Sequence, residues 1–132
     1  MSAFNLSKIR SSYFRSTAAN LTTSLSNLVV SDYYSYVNYR IYSMIITNSN
    51  LTANANLFVN RYDYYSNTIN PVYFMEIPAG NTIFLGNSII DLVISTGDYI
   101  TANASANDRI SILVNMEQHS NLASSVNYGT NL

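Results

Sequence analysis

The sequence predicts an all-β chain: an antiparallel β-sandwich of about eight or nine strands, of jelly-roll or Ig-like plan. Three observations predict it. Short segments rich in Ile, Val, Leu, Tyr and Phe recur between turn signals, at spacings of about 8–12 residues that suit a sandwich or barrel. Arg109 to Glu117 alternates as a strand does when one face meets a core: Ile110, Ile112, Val114 and Met116 point one way, Ser111, Asn115 and Glu117 the other, and Leu113 is the exception. Helix formers such as Glu, Lys and Gln are nearly absent, while β-branched and aromatic residues dominate.

The 132 residues suffice for one domain with a real core. Residues 1–16 read as a basic arm, because Lys8, Arg10 and Arg15 are half of the 6 basic residues. Residues 17–118 form the domain and 119–132 a polar tail. "SSYFRST" (11–17), at the junction, and "LTTSLSNLVV" (21–30) read as early strands. "NYRIYSMIIT" (38–47) and "NANLFVNRY" (54–62) read as two long strands joined by "NSNLTA", whose Asn and Ser suit a loop. Tyr42, Met44 and Ile46 are expected on one face, as are Leu57 and Val59. Ile77-Pro78-Ala79-Gly80 has the pattern of a type I turn, with proline second and glycine fourth. Gly86-Asn87 and Gly97-Asp98 mark further turns, and "ASAND" (104–108) a loop. Between these lie expected strands at Thr82 to Leu85, Ser88 to Ser95, Tyr99 to Asn103 and Arg109 to Glu117.

Composition excludes several function classes. Charged residues are 10% of the chain, against about 25% in ordinary soluble domains, and the net charge is −1 with a pI near 5.6. Nucleic-acid binders show a basic stripe, which this chain lacks, so no nucleic-acid partner is expected. A near-neutral polar surface also lacks the charge repulsion that keeps subunits apart, and so tolerates dense self-assembly. There is no cysteine, hence no disulfide and no thiolate metal site. No apolar run is long enough for a signal peptide core or a membrane span, so no membrane partner is expected. The sequons at Asn20, Asn50 and Asn103 are chance matches in a chain rich in Asn, Ser and Thr.

Catalytic constellations are equally thin, and no enzymatic activity and no cofactor are expected. His119 is the one histidine and falls in the expected tail, where a Ser-His-Asp triad would have no rigid support. Asp91, Asp98 and Glu76 can be imagined as paired acids, but Asp98 follows a turn glycine, and Asp108 lies in the same kind of loop. No calcium-loop spacing, Walker loop or G-x-G-x-x-G is present. The 12 tyrosines are the most unusual feature, clustering in "SDYYSYVNYRIY" (31–42) and "NRYDYYS" (60–66). Tyrosine has a large apolar face and a polar tip, which suits strand packing, subunit contacts and sugar stacking. The candidate interaction residues are therefore Lys8, Arg10 and Arg15 of the arm, with Tyr33, Tyr34, Tyr36, Tyr64 and Tyr65.

The order "YRIYSMIITNSNLTANANLFVNRY", then "PVYFMEIPAGNTIFL", then "IIDLVISTGDYITANASANDRISILVNMEQ" resembles the small virion structural proteins of tailed bacteriophages, particularly those of marine and cyanobacterial phages. The resemblance covers about residues 17–118. It implies structural turns at Pro78 and Gly80 and at Gly97 and Asp98, a loop at Ala104 to Asn107, and no catalytic residue. It further implies a virion location, with copies of this chain and other virion proteins as partners in a homo-oligomer. The tyrosine richness and the polar tail depart from the pattern. A single sandwich is small for a shell lattice, so a neck or tail subunit is expected first and a head decoration protein second. The reading from another class is a carbohydrate-binding module of a fibre, through Tyr33, Tyr34, Tyr64 or Tyr65.

Overall fold

The computed structural model describes residues 12–33, 37–86 and 92–120. Among these are nine strands and no helix: β1 (Ser12–Asn20), β2 (Ser26–Val30), β3 (Val37–Asn48), β4 (Ala55–Asp63), β5 (Thr68–Ile77), β6 (Thr82–Leu85), β7 (Leu92–Ile94), β8 (Tyr99–Ala104) and β9 (Ile110–Ser120). One sheet has the order β1-β9-β3-β6, with β7 also paired to β3, and the second has the order β2-β8-β4-β5. All pairings are antiparallel.

The chain crosses between sheets at almost every connection; only the β4–β5 hairpin and the step from β6 to β7 stay within one sheet. Such a path is a jelly roll, which decides between the two plans that the sequence leaves open. Its two open sides are edged by β1 with β2, and by β5 with β6 and β7.

Alternation builds the core. Ile110, Ile112, Val114 and Met116 of β9 are buried, as their spacing predicts, together with Ile41, Met44 and Ile46 of β3. From the other sheet Leu57, Val59, Ile77, Ile100 and Ala102 complete the same cluster. Burying each such Leu, Ile or Val side chain contributes about 1.5–3 kcal/mol, so this double row holds the sheets together.

Several expectations are corrected. Tyr42 does not share a face with Met44 and Ile46: the β3–β9 register slips between Ile41 and Ser43, so Tyr42 is the extra residue of a bulge, and its ring meets Phe14 edge-on at 5.7 Å. The sequence reading names no strand at 68–77. β5 is nevertheless a strand, at a sheet edge and with a register slip beside Pro71, where a residue lacking an N–H is tolerated. β1 begins at Ser12, inside the stretch read as an arm, and β9 carries His119, which was expected in the tail. Both extensions pair with each other, Ser12 opposite His119, so each end of the chain becomes strand because the other lies beside it.

The first proline turn is also displaced by one residue. Asn81 N–H donates to Pro78 O at 3.2 Å, which places Gly80 third with φ +71°, as a type II turn requires. Thr82 to Leu85 forms the expected strand, whereas Ser88 to Ser95 is strand at Leu92–Ile94; residues 87–91 lie outside the described residues.

Candidate functional site

Strand direction collects three connections at one end of the sandwich: the β4–β5 turn at 64–67, the residues after β2, and the turn Ser95 to Asp98 before β8. The last is closed by Asp98 N–H donating to Ser95 O at 2.9 Å, with Gly97 third at φ +92°. Ser31 N–H donates to Asp98 O and Gly97 N–H to Ser31 O, at 3.0 and 2.6 Å, tying the end of β2 to this turn. The Ser31 hydroxyl donates to Val37 O and so reaches the start of β3.

Asp98 is the hub of this end. It is 3% exposed, and one carboxylate oxygen accepts from Arg61 Nη2 at 2.8 Å and Ser95 N–H at 3.3 Å, while the other accepts from Tyr64 N–H at 2.9 Å. Turn chemistry alone therefore understates it. Arg61 lies on the same side of β4 as Leu57 and Val59, so its charge is carried inward and needs an acid. Arg61 Nε has no partner, so the ion pair with Asp98 is what holds the guanidinium.

This network holds tyrosines in the open. Tyr64 lies so close to Gly97 that a Cβ there would come within 2.7 Å of its ring. Its ring centroid is 4.8 Å from that of Tyr33 at an interplanar angle of 31°, and 5.5 Å from that of Tyr65 at 85°. Tyr65 is 80% exposed, and its N–H donates to Asp63 Oδ1 at 3.1 Å. Beside this tip, on the outer face of the second sheet, Tyr62 stacks on Tyr99 at 4.6 Å and donates its hydroxyl to Asn67 Oδ1 at 2.7 Å.

The two outer faces are poor in charge. On the first sheet, pairing places Ala18, Leu113, Ile45 and Phe84 in one row across β1, β9, β3 and β6, with Arg40 and Glu117 paired two rows away. On the second, Val30, Tyr99, Tyr62 and Ile69 form one row and Phe58 stacks on Phe74 at 4.9 Å in another. Phe84 and Phe74 are each 62% exposed.

A cleft of about 140 Å³ opens between the β1 and β2 edges, lined by Arg15, Leu28, Val29, Tyr39 and Met116 among others. Small-molecule pockets hold about 300–1,000 Å³, so this is too small for one. Arg15 is held at its rim by donating to Gln118 Oε1 at 2.8 Å. His119 Nε2 lies 3.2 Å from Glu117 Oε1 on the strand surface. Among the described residues no three metal-ligating side chains converge, and no helix is long and apolar enough to cross a membrane.

Of the residues singled out in the sequence, Tyr33, Tyr64, Tyr65, Gly97 and Asp98 come together at this end. Pro78 and Gly80 lie at the opposite end, and Arg15 lies in β1. Lys8, Arg10, Tyr34, Tyr36 and Asp91 lie outside the described residues. Sequence reasoning missed Arg61, Tyr62 and Tyr99. For Arg61 a signal was present: an arginine in register with Leu57 and Val59 is an inward charge that demands a carboxylate.

No family model and no curated protein matches the chain. Solved structures match in shape. A chain in the acid-stable capsid of Helicobacter pylori bacteriophage KHP30 superposes with a TM-score of 0.50 at 13% identity, over 83% of this chain and 90% of that one. The Drosophila NLP core, described for its pentamer formation and histone binding, gives 0.51 at 10% identity, over 81% and 95%. A protein of the disulfide-linked pili of Bacillus endospores gives 0.46 at 10% identity, over 84% and 87%. At these identities the likeness establishes the β-sandwich fold.

Proposed function

We propose that this chain is a structural subunit of a virion, which assembles with copies of itself and with other virion proteins through its outer faces and sheet edges. The observation that carries the reading is the exposed apolar rows that cross each outer face between polar ones. An isolated sandwich usually turns polar residues outward on both sheets; here Phe84, Val93 and Phe14 on one and Phe74, Ile69 and Val30 on the other are exposed. The β1 edge adds to this. Its register with β9 runs unbroken from Ser12 to Asn20, with Arg15 its single charge and no proline, and among the described residues no strand pairs with its outer side, which suits strand addition.

The phage capsid chain and the NLP core are, by their descriptions, parts of assemblies, and the jelly roll is a common plan of capsid domains. Both lend support to the reading. A tailed-bacteriophage particle, with the chain at the neck or tail, is the specific placement we propose. Small size is a weaker argument for it than the sequence suggests, because the match takes in 90% of the capsid chain, which is therefore of about this size. The head surface is therefore retained as the second placement.

Mass spectrometry of purified particles tests the reading. The chain is expected as a stoichiometric component, and its absence would remove the proposal. A copy number matching capsid faces or vertices would move it to the head surface. Sedimentation of the isolated chain should show concentration-dependent association that Phe84→Ser with Phe74→Ser reduces.

A further inference from the structure

We infer that the tyrosine end is a binding site for a neutral glycan, with Tyr65 and Tyr64 as stacking surfaces and Asp63 as a hydrogen-bond acceptor. This role is separate from assembly through the outer faces. Three features converge on it. Tyr64 and Tyr65 stand at 85° to one another, so their rings form a right-angled corner with Tyr33 closing one side. A pyranose ring, apolar on its C–H faces and polar at its rim, fits such a corner by laying one face on Tyr65 and an edge against Tyr64.

The corner is also fixed before anything binds. Tyr64 is anchored through its N–H to the buried carboxylate of Asp98 and rests on Gly97, while Tyr65 is anchored through its N–H to Asp63. Exposed aromatic rings on a turn tip usually lose conformational freedom when they bind. Here the backbone share of that loss has already been met by folding, which favours a recognition surface.

The polar groups at the corner select the occupant. Asp63 uses Oδ1 for Tyr65 N–H, and among the described residues no donor reaches Oδ2. Among the described residues the nearest cation, Arg61, is committed to Asp98. A surface that offers acceptors and aromatic faces and, among the described residues, no free cation suits hydroxyl-rich neutral sugars and disfavours sulfated or carboxylated glycans and phosphate groups. A protein partner has broader apolar ground on the outer sheet faces.

The test is calorimetric titration of the intact chain with cellohexaose, maltohexaose and mannohexaose, and with a heparin hexasaccharide. At least one neutral hexaose is expected to bind and the heparin fragment not to. Tyr65→Ala should weaken that binding by about tenfold or more with the melting temperature unchanged, and Tyr65→Phe should retain it, because the ring face is kept. Asp63→Asn, which keeps the acceptor for Tyr65 N–H but removes the charge, should weaken it less. The inference is overturned if none of the neutral hexaoses binds at millimolar concentration, or if Tyr65→Ala leaves their affinity intact. It is also overturned if Tyr65→Ala abolishes self-association while no saccharide binds, which would make the corner a contact between copies.

Discussion

The two ends of the sandwich are closed by different chemistry. At one, Asn48 is fully buried and its amide donates to Ala53 O and Ile77 O at 2.9 and 3.0 Å, while its oxygen accepts from Asn50 N–H at 3.0 Å. Asn50 and Asn54 continue the pattern, accepting from Ala53 N–H and Ala79 N–H. At the other, a carboxylate and a guanidinium do the same work. The end closed by these neutral amides, whose β8–β9 loop also carries Asp108 and Arg109, satisfies its loop backbone and, among the described residues, holds no tyrosine cluster. The charged end holds three tyrosines outward, and that surplus beyond closure is why recognition is proposed there.

The largest expected effect breaks the charged end. Asp98→Ala removes the acceptor of three donors and leaves Arg61 half-sequestered without its counter-ion. Losing one partner of a buried pair costs about 3–5 kcal/mol, less here because about a third of the Arg61 side chain meets water. A loss of about 2–4 kcal/mol in urea unfolding is expected, together with increased solvent access at Tyr64 in tyrosine quenching. Asn48→Ala should cost about 1–3 kcal/mol, since it strands two carbonyls and one N–H without stranding a charge. Its tyrosine quenching should not change. If both variants alter quenching equally, the division of labour between the ends is wrong.

These ends also differ in how far the sequence discloses them. The asparagine loop could be read locally: "NSNLTA" joins two strand patterns, and the residues that satisfy one another lie within a few positions. Gly97 and Asp98 could likewise be read as a turn. The ion pair could not be seen that way, because Arg61 and Asp98 are 37 positions apart and meet only once β4 and β8 pair. The same limit hid two other features. A bulge leaves no mark in a period-two pattern, so Tyr42 reads as sharing a face with Met44 and Ile46, and only the edge position of β5 makes Pro71 compatible with a strand at 68–77. Alternation in β9 is legible because the bulge of its pairing with β3 falls on β3, which leaves β9 itself regular with one buried face.

A smaller effect tests how tightly the charged end is built. Gly97→Ala meets two penalties at once, a φ of +92° and a new Cβ about 2.7 Å from the Tyr64 ring. A cost of about 1–3 kcal/mol is expected. Tyr64→Ala removes the ring's part of the second penalty, leaves the Cβ of residue 64 at 2.8 Å, and leaves the first penalty whole. A double-mutant cycle should therefore show the pair less destabilised than the sum of the singles, by about 0.5–1.5 kcal/mol. Strict additivity would mean that the ring moves aside freely, and the corner would then not be preformed.

The smallest effect on stability is the most informative about the comparison. Tyr65 is 80% exposed and rests edge-on against Tyr64, so Tyr65→Ala should change unfolding free energy by no more than about 0.5 kcal/mol. Leu51, the counterpart at the neutral end, is 82% exposed, and Leu51→Ala should be equally silent. Two residues of matched exposure thus have matched stability effects, and any functional readout that separates them must come from what touches Tyr65 from outside. Saccharide binding or particle assembly that is lost with Tyr65→Ala and kept with Leu51→Ala would place recognition at the charged end. Loss in both would mean that the neighbours grip the sandwich at its two ends alike.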